Sequence, residues 1–237
     1  MASEKAQTAQ PKYSWDYDVP DDPFWKDLPF TTARNFLSCY TPQELEDMSF
    51  PPLPEPVDKW KLLLSRLEDK WEATKSRYDP APVYQANNKA WMDLRLAMWT
   101  VLHELKEMDA AIAILNEMSA HGTYNNQMSA KNMLAGLYTE LGRFAEAEVM
   151  GKECLTWLRE LPQCGPKSPM ALGCQRRLLE AIFKQGKEEE AKDIEVKMED
   201  LIQGLSGHQF EKYQDEEQQM LKDKIKELQD WRQAQTT

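Results

Sequence analysis

The chain has 237 residues, of which 29 are basic and 40 acidic, so its formal net charge is −11. This acidic excess argues against nucleic acid as a partner, because phosphates are repelled unless a chain carries a concentrated basic stripe. A mean hydropathy of −0.70 and the lack of any apolar run near about 18 residues argue against a membrane span.

The first 56 residues are predicted to form an acidic arm. They hold four basic and ten acidic side chains, a net charge of −6, with nine of the 14 prolines and nine of the 23 aromatic residues. Proline and acid disfavour packed elements, yet disordered tails are normally poor in aromatic residues. We therefore expect an extended arm anchored either on the chain's own helices or on a partner. The candidate anchors are Tyr13, Trp15, Tyr17, Phe24, Trp25 and Phe30.

One short helix is expected within this arm, since Thr41-Pro42-Gln43-Glu44 has the pattern of a capping box with proline at the first helical position. Residues 57–237 are predicted to be helical. Apolar residues recur at helical spacing over 57–78, 91–105 and 111–118, whereas 121–126 has the composition of a loop. No stretch alternates as a strand would, so the predicted class is all-α.

Three similar segments indicate an internal repeat. They are Leu105–Ala111, Leu141–Ala147 and Lys184–Ala191. Each is predicted to be a tight turn between two helices, followed by an alanine. That alanine has a physical reason, because two helix axes approach closely only where side chains are small.

With these residues the chain resembles the tetratricopeptide repeat family, whose unit is about 34 residues long. The clearest copy is 128–161, and weaker copies cover 92–118 and 172–200; Lys106 stands where the family has glycine. The insertion over 161–169 resembles the long repeats of kinesin light chains, and Ser168 is expected to cap the helix after it. The residues at the packing positions of the clearest copy are Leu134, Ala135, Tyr138, Gly142, Phe144 and Ala147.

The resemblance implies an α-solenoid of about three helix pairs with flanking helices and an N-terminal arm. A last helix over 208–233 is expected to cap the solenoid, and this tail is similar to tetratricopeptide-like proteins predicted in fungi. The family binds proteins on the concave face formed by the first helix of each pair. The matching positions, here the candidate groove, are Asp93, Thr100, His103, Glu104, Asn132, Thr139, Glu140, Arg176, Glu180, Phe183 and Lys184.

The resulting hypothesis is a protein–protein interaction adaptor that binds a peptide or helix. The carboxylate clamp of some family members is not expected, because only Arg177 matches its basic positions. Two alternatives stay open. One is an accessory protein of a biosynthetic pathway, with a small apolar ligand between Trp91, Met98, Trp99 and Met133. The other is a groove occupied by the chain's own residues 13–30.

No catalytic constellation is recognised, so the chain is not expected to be an enzyme or to need a cofactor. Its histidines, His103, His121 and His208, have no metal-ligand spacing, and its four cysteines form no zinc or disulfide pattern. The first residues lack the apolar core of a secretory signal. A cytoplasmic monomer is expected, with the nucleus as an alternative compartment.

Overall fold

A computed structural model of the chain describes residues 19–26 and 28–235. All regular elements in these residues are helices, which confirms the all-α prediction. The chain divides into two compact units. Of the described residues, the first comprises those up to Val83 together with Lys89–Glu107, and the second comprises Tyr84–Asn88 together with those from Met108 onward. The predicted boundary after residue 56 thus falls inside the first unit, and the predicted repeat 92–118 is divided between the two units.

The first unit contains the helices α1 (Phe30–Leu37), α2 (Pro42–Glu46), α3 (Pro56–Tyr78) and most of α5 (Asn88–Glu104), and the short α4 (Val83–Ala86) spans the division. The capping box is present as predicted. The Thr41 side chain accepts a hydrogen bond from the Glu44 N–H at 3.3 Å, and the Glu44 carboxylate accepts one from the Thr41 N–H at 2.8 Å.

The prediction of a single helix before residue 56 is wrong, because α1 precedes α2. In α1, Ala33, Phe36 and Leu37 are spaced at three and four residues and are buried. The composition of the whole arm, rich in acid and proline, conceals this apolar stripe, which lies within a helix of eight residues.

The second unit contains α6 (Met108–Ala120), α7 (Tyr124–Glu140), α8 (Phe144–Glu160), α9 (Pro169–Lys184), α10 (Glu188–Gln203), a 3₁₀ turn (Glu211–Tyr213) and α11 (Gln214–Gln235). Each helix from α6 to α10 packs on the next one along the chain. In addition, α9 contacts α7 and α11, which are not its neighbours in the chain. Helix α9 therefore has four neighbouring helices: α7, α8, α10 and α11.

Two helix starts in this unit depend on side-chain caps. Ser168 accepts a hydrogen bond from the Ala171 N–H at 3.2 Å and caps α9, as the sequence predicts. Thr123 caps α7 by accepting from the Asn126 N–H at 3.4 Å. Because of this cap, α7 begins at Tyr124, and the predicted loop over 121–126 is three residues too long.

The three segments aligned as repeat turns share one backbone hydrogen-bond pattern. After α7, the N–H of Gly142 bonds the carbonyl of Thr139, and the N–H of Arg143 bonds that of Tyr138. The same two bonds recur at Gly186 and Lys187 after α9, and at Lys106 and Glu107 after α5. This is the Schellman motif, which needs a left-handed residue. Gly142 and Gly186 have φ of 73° and 77°, and Lys106 has φ of 61°.

Lys106 is the strained member of this set, since a left-handed conformation costs a residue with a Cβ about 1–2 kcal/mol. We expect Lys106→Gly to raise the free energy of unfolding of the first unit by about 1 kcal/mol, measured by urea denaturation. The reciprocal change, Gly142→Lys, is expected to lower that of the second unit by a similar amount. An unchanged or lowered stability of Lys106→Gly would contradict the assignment of strain.

Candidate functional site

Four predicted groove residues lie on α5, in the first unit. Asp93 pairs with Lys89 at 2.5 Å on the same helix. Thr100 is buried, and its hydroxyl donates to the carbonyl of Ala97 at 2.9 Å. His103 stacks on Trp99 with ring centroids 6.0 Å apart, and Glu104 is half-buried. The hydroxyl of Thr100 is thus held by its own helix.

Two of the predicted arm anchors are core residues of the first unit. Phe24 and Trp25 are buried, and both rings contact Phe50, with centroids 5.0 and 4.9 Å away. Lys59 lies over the Phe24 ring and donates to the carbonyl of Pro23 at 3.2 Å. Phe30 is 38% exposed. Tyr13, Trp15 and Tyr17 lie outside the described residues.

The residues suggested for a small apolar ligand are not gathered in one unit. Trp91 and Met98 are buried in the first unit, where Trp99 also lies, whereas Met133 belongs to α7 in the second unit. Neither of the two cavities described below is lined by any of them.

In the second unit, one row of α7 carries Asn132, Gly136 and Glu140, spaced four residues apart. Arg177 of α9 crosses this row. Its Nη2 donates to Asn132 Oδ1 at 2.6 Å, and its Cδ lies 3.6 Å from the position that a Cβ on Gly136 would take. Glu140 is exposed, whereas Thr139 is buried and bonds the carbonyl of Ala135 at 2.8 Å. We call Asn132, Gly136, Glu140 and Arg177 the α7–α9 strip.

The four predicted groove residues on α9 face α11. Arg176 pairs with Glu217 of α11, and Glu180 accepts hydrogen bonds from Lys224 of α11 at 2.9 Å and from Lys184 at 2.6 Å. Phe183 makes an edge contact with Trp231, with centroids 6.4 Å apart. The sequence did not predict that α11 would contact these side chains.

Lys184 completes this contact, because its ammonium lies between two aromatic rings. It is 5.6 Å from the ring centroid of Phe144 and 5.7 Å from that of Trp231. Such cation–π contacts add to its ion pair with Glu180.

The two buried carboxylates at this contact respond differently to their surroundings. Burial raises the pKa of Glu217, and its bond from Arg176 does not fully offset this effect. Burial also acts to raise the pKa of Glu180, but the hydrogen bonds from Lys184 and Lys224 outweigh it and lower the pKa overall. Glu180 is therefore an anion held between two cations.

A third buried carboxylate, Glu148, joins α8 to the turn between α9 and α10. It accepts hydrogen bonds from Lys152 at 2.6 Å, Lys187 at 2.5 Å and Gln185 at 2.8 Å. Burial acts to raise the pKa of Glu148, but these bonds outweigh it and lower the pKa to about 2. Sequence reasoning missed this residue; its only local signal is the four-residue spacing to Lys152.

Two cavities adjoin α9. One of about 350 Å³ lies between α9, α10 and α11, with Phe183, Ile225 and Arg232 among its lining residues. The other, of about 260 Å³, lies between α8, α9 and α10.

The described residues include no group of histidine, cysteine, aspartate and glutamate side chains placed to hold a metal ion. The four cysteines are free thiols. Burial raises the pKa of Cys39 and of Cys154 to about 12, so neither is a thiolate near neutral pH.

No model of a known protein family matches the chain, and no curated protein or solved structure matches it either. Within the part of the chain that the structure describes, no helix is both long and apolar enough to cross a membrane.

Glu148 generates a pH-dependent prediction. Because its folded pKa of about 2 lies below the ordinary value of 4.5, its stabilisation is complete above about pH 4.5 and is lost as the pH falls toward 2. Glu148→Gln is expected to lower the free energy of unfolding by about 1–3 kcal/mol at pH 7, and this difference from the unmodified chain should shrink between pH 4.5 and 2.5.

The measurement is urea denaturation at several pH values. Glu146→Gln is the matched control, since Glu146 lies on the same helix in an exposed pair with Arg143 and such pairs contribute little. A difference between Glu148→Gln and the unmodified chain that does not depend on pH would contradict the assigned pKa.

Proposed function

We propose that the chain is a protein–protein interaction adaptor whose second unit is a tetratricopeptide-like solenoid. In this proposal α7–α8 and α9–α10 are two complete helix pairs, α6 precedes them and α11 covers their end. The α7–α9 strip binds a peptide or helix of the partner, and the chain acts by binding rather than by catalysis.

The observation that carries the proposal is the order of helix contacts. Each helix from α6 to α10 packs on its successor, and α9 also contacts α7 and α11, the helices two places before and after it in the chain. Nearest-neighbour packing of this kind is typical of helical repeats. The shared turn motif at Gly142 and Gly186 repeats the same geometry within the chain.

Small residues at the helix crossings also support the proposal. Ala147 and Ala191 are buried at equivalent positions after the two turns. A Cβ added to Gly151 of α8 would lie 3.5 Å from Cδ1 of Leu178 on α9, so α8 and α9 approach closely there.

The strip is favoured over the α9–α11 contact because, among the described residues, Arg177 is not paired with a carboxylate, whereas the charged residues at the α9–α11 contact are paired. Arg176 and Glu180 are paired across to α11. In contrast, Arg177 is half-buried and bonds Asn132 through Nη2, with no ion pair among the described residues. A guanidinium in this state suits a carboxylate or carbonyl oxygen of the partner.

Gly136 is the position at which to test this face. It lies within a helix, where glycine costs about 1 kcal/mol relative to alanine, and a Cβ at this position would lie 3.6 Å from Cδ of Arg177. Gly136→Trp is expected to place a large ring on the strip beside Arg177 and to abolish partner capture. Gly136→Ala is the matched control, since its Cβ makes an ordinary contact at 3.6 Å, and it is expected to keep capture and to be more stable.

The measurement is affinity capture with the full chain and both variants, followed by cross-linking and mass spectrometry to locate the bound segment. Circular dichroism confirms that both variants are folded. Capture that is equal for Gly136→Trp and Gly136→Ala would contradict a binding role for the strip.

A further inference from the structure

Helix α11 is attached to the second unit through one of its faces. Its buried side chains are Glu217, Leu221 and Leu228, which are four and seven residues apart and therefore lie on one side of the helix. This face packs on α9 and α10, whereas Lys222 and Lys226 are exposed. Release of α11 therefore breaks its contacts with two helices and leaves the packing of α6–α10 on one another in place.

The contact between α9 and α11 has a fixed order of side chains. Three pairs follow one another in the same direction along both helices, namely Arg176 with Glu217, Glu180 with Lys224 and Phe183 with Trp231. Their members on α11 are seven residues apart. A shift of α11 by seven residues would place Lys224 against Arg176, and these like charges repel. The α9–α10 face therefore accepts α11 in one register.

The contact beneath α11 is incompletely packed. A cavity of about 350 Å³ lies between α9, α10 and α11, with Phe183 and Ile225 in its lining. Atoms that line a void lose dispersion contacts on that side. The buried apolar side chains among the described residues of α11 are Leu221 and Leu228, and ion pairs supply much of the remaining contact. Helix α11 is therefore less firmly held than the inner helices.

The segment between α10 and α11 has the properties of a hinge. Its backbone hydrogen bonds join residues three or four apart, so they are local. Ser206, Gly207 and Gln209 are exposed. Gly207 has φ of 71°, and glycine leaves this left-handed conformation for a negative φ at little cost. Residues 206–209 can therefore change direction without exposing a buried apolar side chain.

Exchange of α11 between two copies of the chain would keep the contacts described above. Each α9–α10 face would receive the same helix in the same register, so its ion pairs and its apolar packing are remade. The cost is limited to opening the turn at Gly207 and to the lost independent motion of the second chain. For this reason the exchange of an identical element is a low-cost route to a dimer.

We propose that the α9–α10 face is an interaction surface for a second copy of the chain. In the exchanged dimer, the path of each chain opens at residues 206–209, and α11 packs on α9 and α10 of the other copy. Arg176 then pairs with Glu217 of the partner subunit, and Glu180 with Lys224 of the partner subunit. The two contacts are equivalent, so the dimer is symmetric and closed. The closed monomer and the exchanged dimer are in equilibrium, and the chain concentration determines their ratio.

This inference depends on α9, α10 and α11 and not on the proposed function. Exchange leaves the α7–α9 strip of each copy unchanged, so a dimer presents two strips. A partner with two matching segments would bind such a dimer more tightly than a monomer, because its second contact is intramolecular. The dimer and the strip can each fail without the other.

The first test is cross-linking of the unmodified chain. Equal amounts of heavy-isotope-labelled and unlabelled chain are incubated together at high concentration, and the dimer fraction from size-exclusion chromatography is treated with a carbodiimide, which joins a carboxylate to an amine in contact with it. Glu180 and Lys224, 2.9 Å apart, are expected to give links of which about half join a labelled to an unlabelled peptide, because chains pair at random in an exchanged dimer.

The pair of Lys131 on α7 with Glu153 on α8, 2.6 Å apart, is the matched control. Both residues precede the hinge, so their links should remain unmixed in the same sample. Glu180–Lys224 links that are also unmixed would overturn the proposal, since α11 would then stay on its own copy. The absence of a dimer fraction at millimolar chain would overturn it as well.

The second test reverses the charges of one pair in separate chains. Arg176→Glu and Glu217→Arg each place like charges at the contact, whereas a mixture of the two variants can form an exchanged dimer in which both contacts are oppositely charged. The mixture is therefore expected to dimerise at least about tenfold more tightly than either variant alone, measured by analytical ultracentrifugation.

Two controls accompany this test. Both changes placed in one chain restore the pair within that chain, and circular dichroism should show that it is as stable as the unmodified protein. A mixture of Lys131→Glu with Glu153→Lys should show no gain in dimerisation, because these residues are not exchanged. Dimerisation of the Arg176→Glu and Glu217→Arg mixture that is no tighter than that of each variant alone would contradict the exchange of α11.

Discussion

The burial of α9 is the constraint on which the second unit depends. This helix has four helical neighbours, so its polar side chains lose water and need partners within the protein. Arg177 bonds Asn132 of α7, whereas Arg176 and Glu180 bond Glu217 and Lys224 of α11. The register of α9 against α7 and α11 is therefore determined by polar pairs as well as by apolar packing.

The same constraint separates structural residues from candidate binding residues. Glu180 has two ammonium donors and Glu148 has three donors, so both carboxylates are satisfied internally. Removing one member of such a pair leaves a buried charge and is destabilising. Gln175 differs because its buried oxygen has no donor.

Local features of the fold follow from the sequence, whereas contacts between distant residues do not. The capping box at Thr41, the cap at Ser168, the turns after α7 and α9 and the apolar stripes each depend on residues within one or two helical turns. The pair of Glu148 with Lys187 joins residues 39 apart, and that of Glu180 with Lys224 joins residues 44 apart. Helical periodicity describes one helix at a time and gives no information on pairs between helices. The groove positions Arg176 and Glu180 are therefore predicted without their partners on α11.

The most direct test of the central role of α9 is native-state hydrogen exchange of the full chain. Amides of a helix covered on several sides open only with the whole unit, whereas those of a helix at an edge open locally. We expect the amides of α9 to exchange most slowly among α6–α11, and those of α6 and α11 to exchange faster. Exchange of α9 as fast as that of α6 would contradict it.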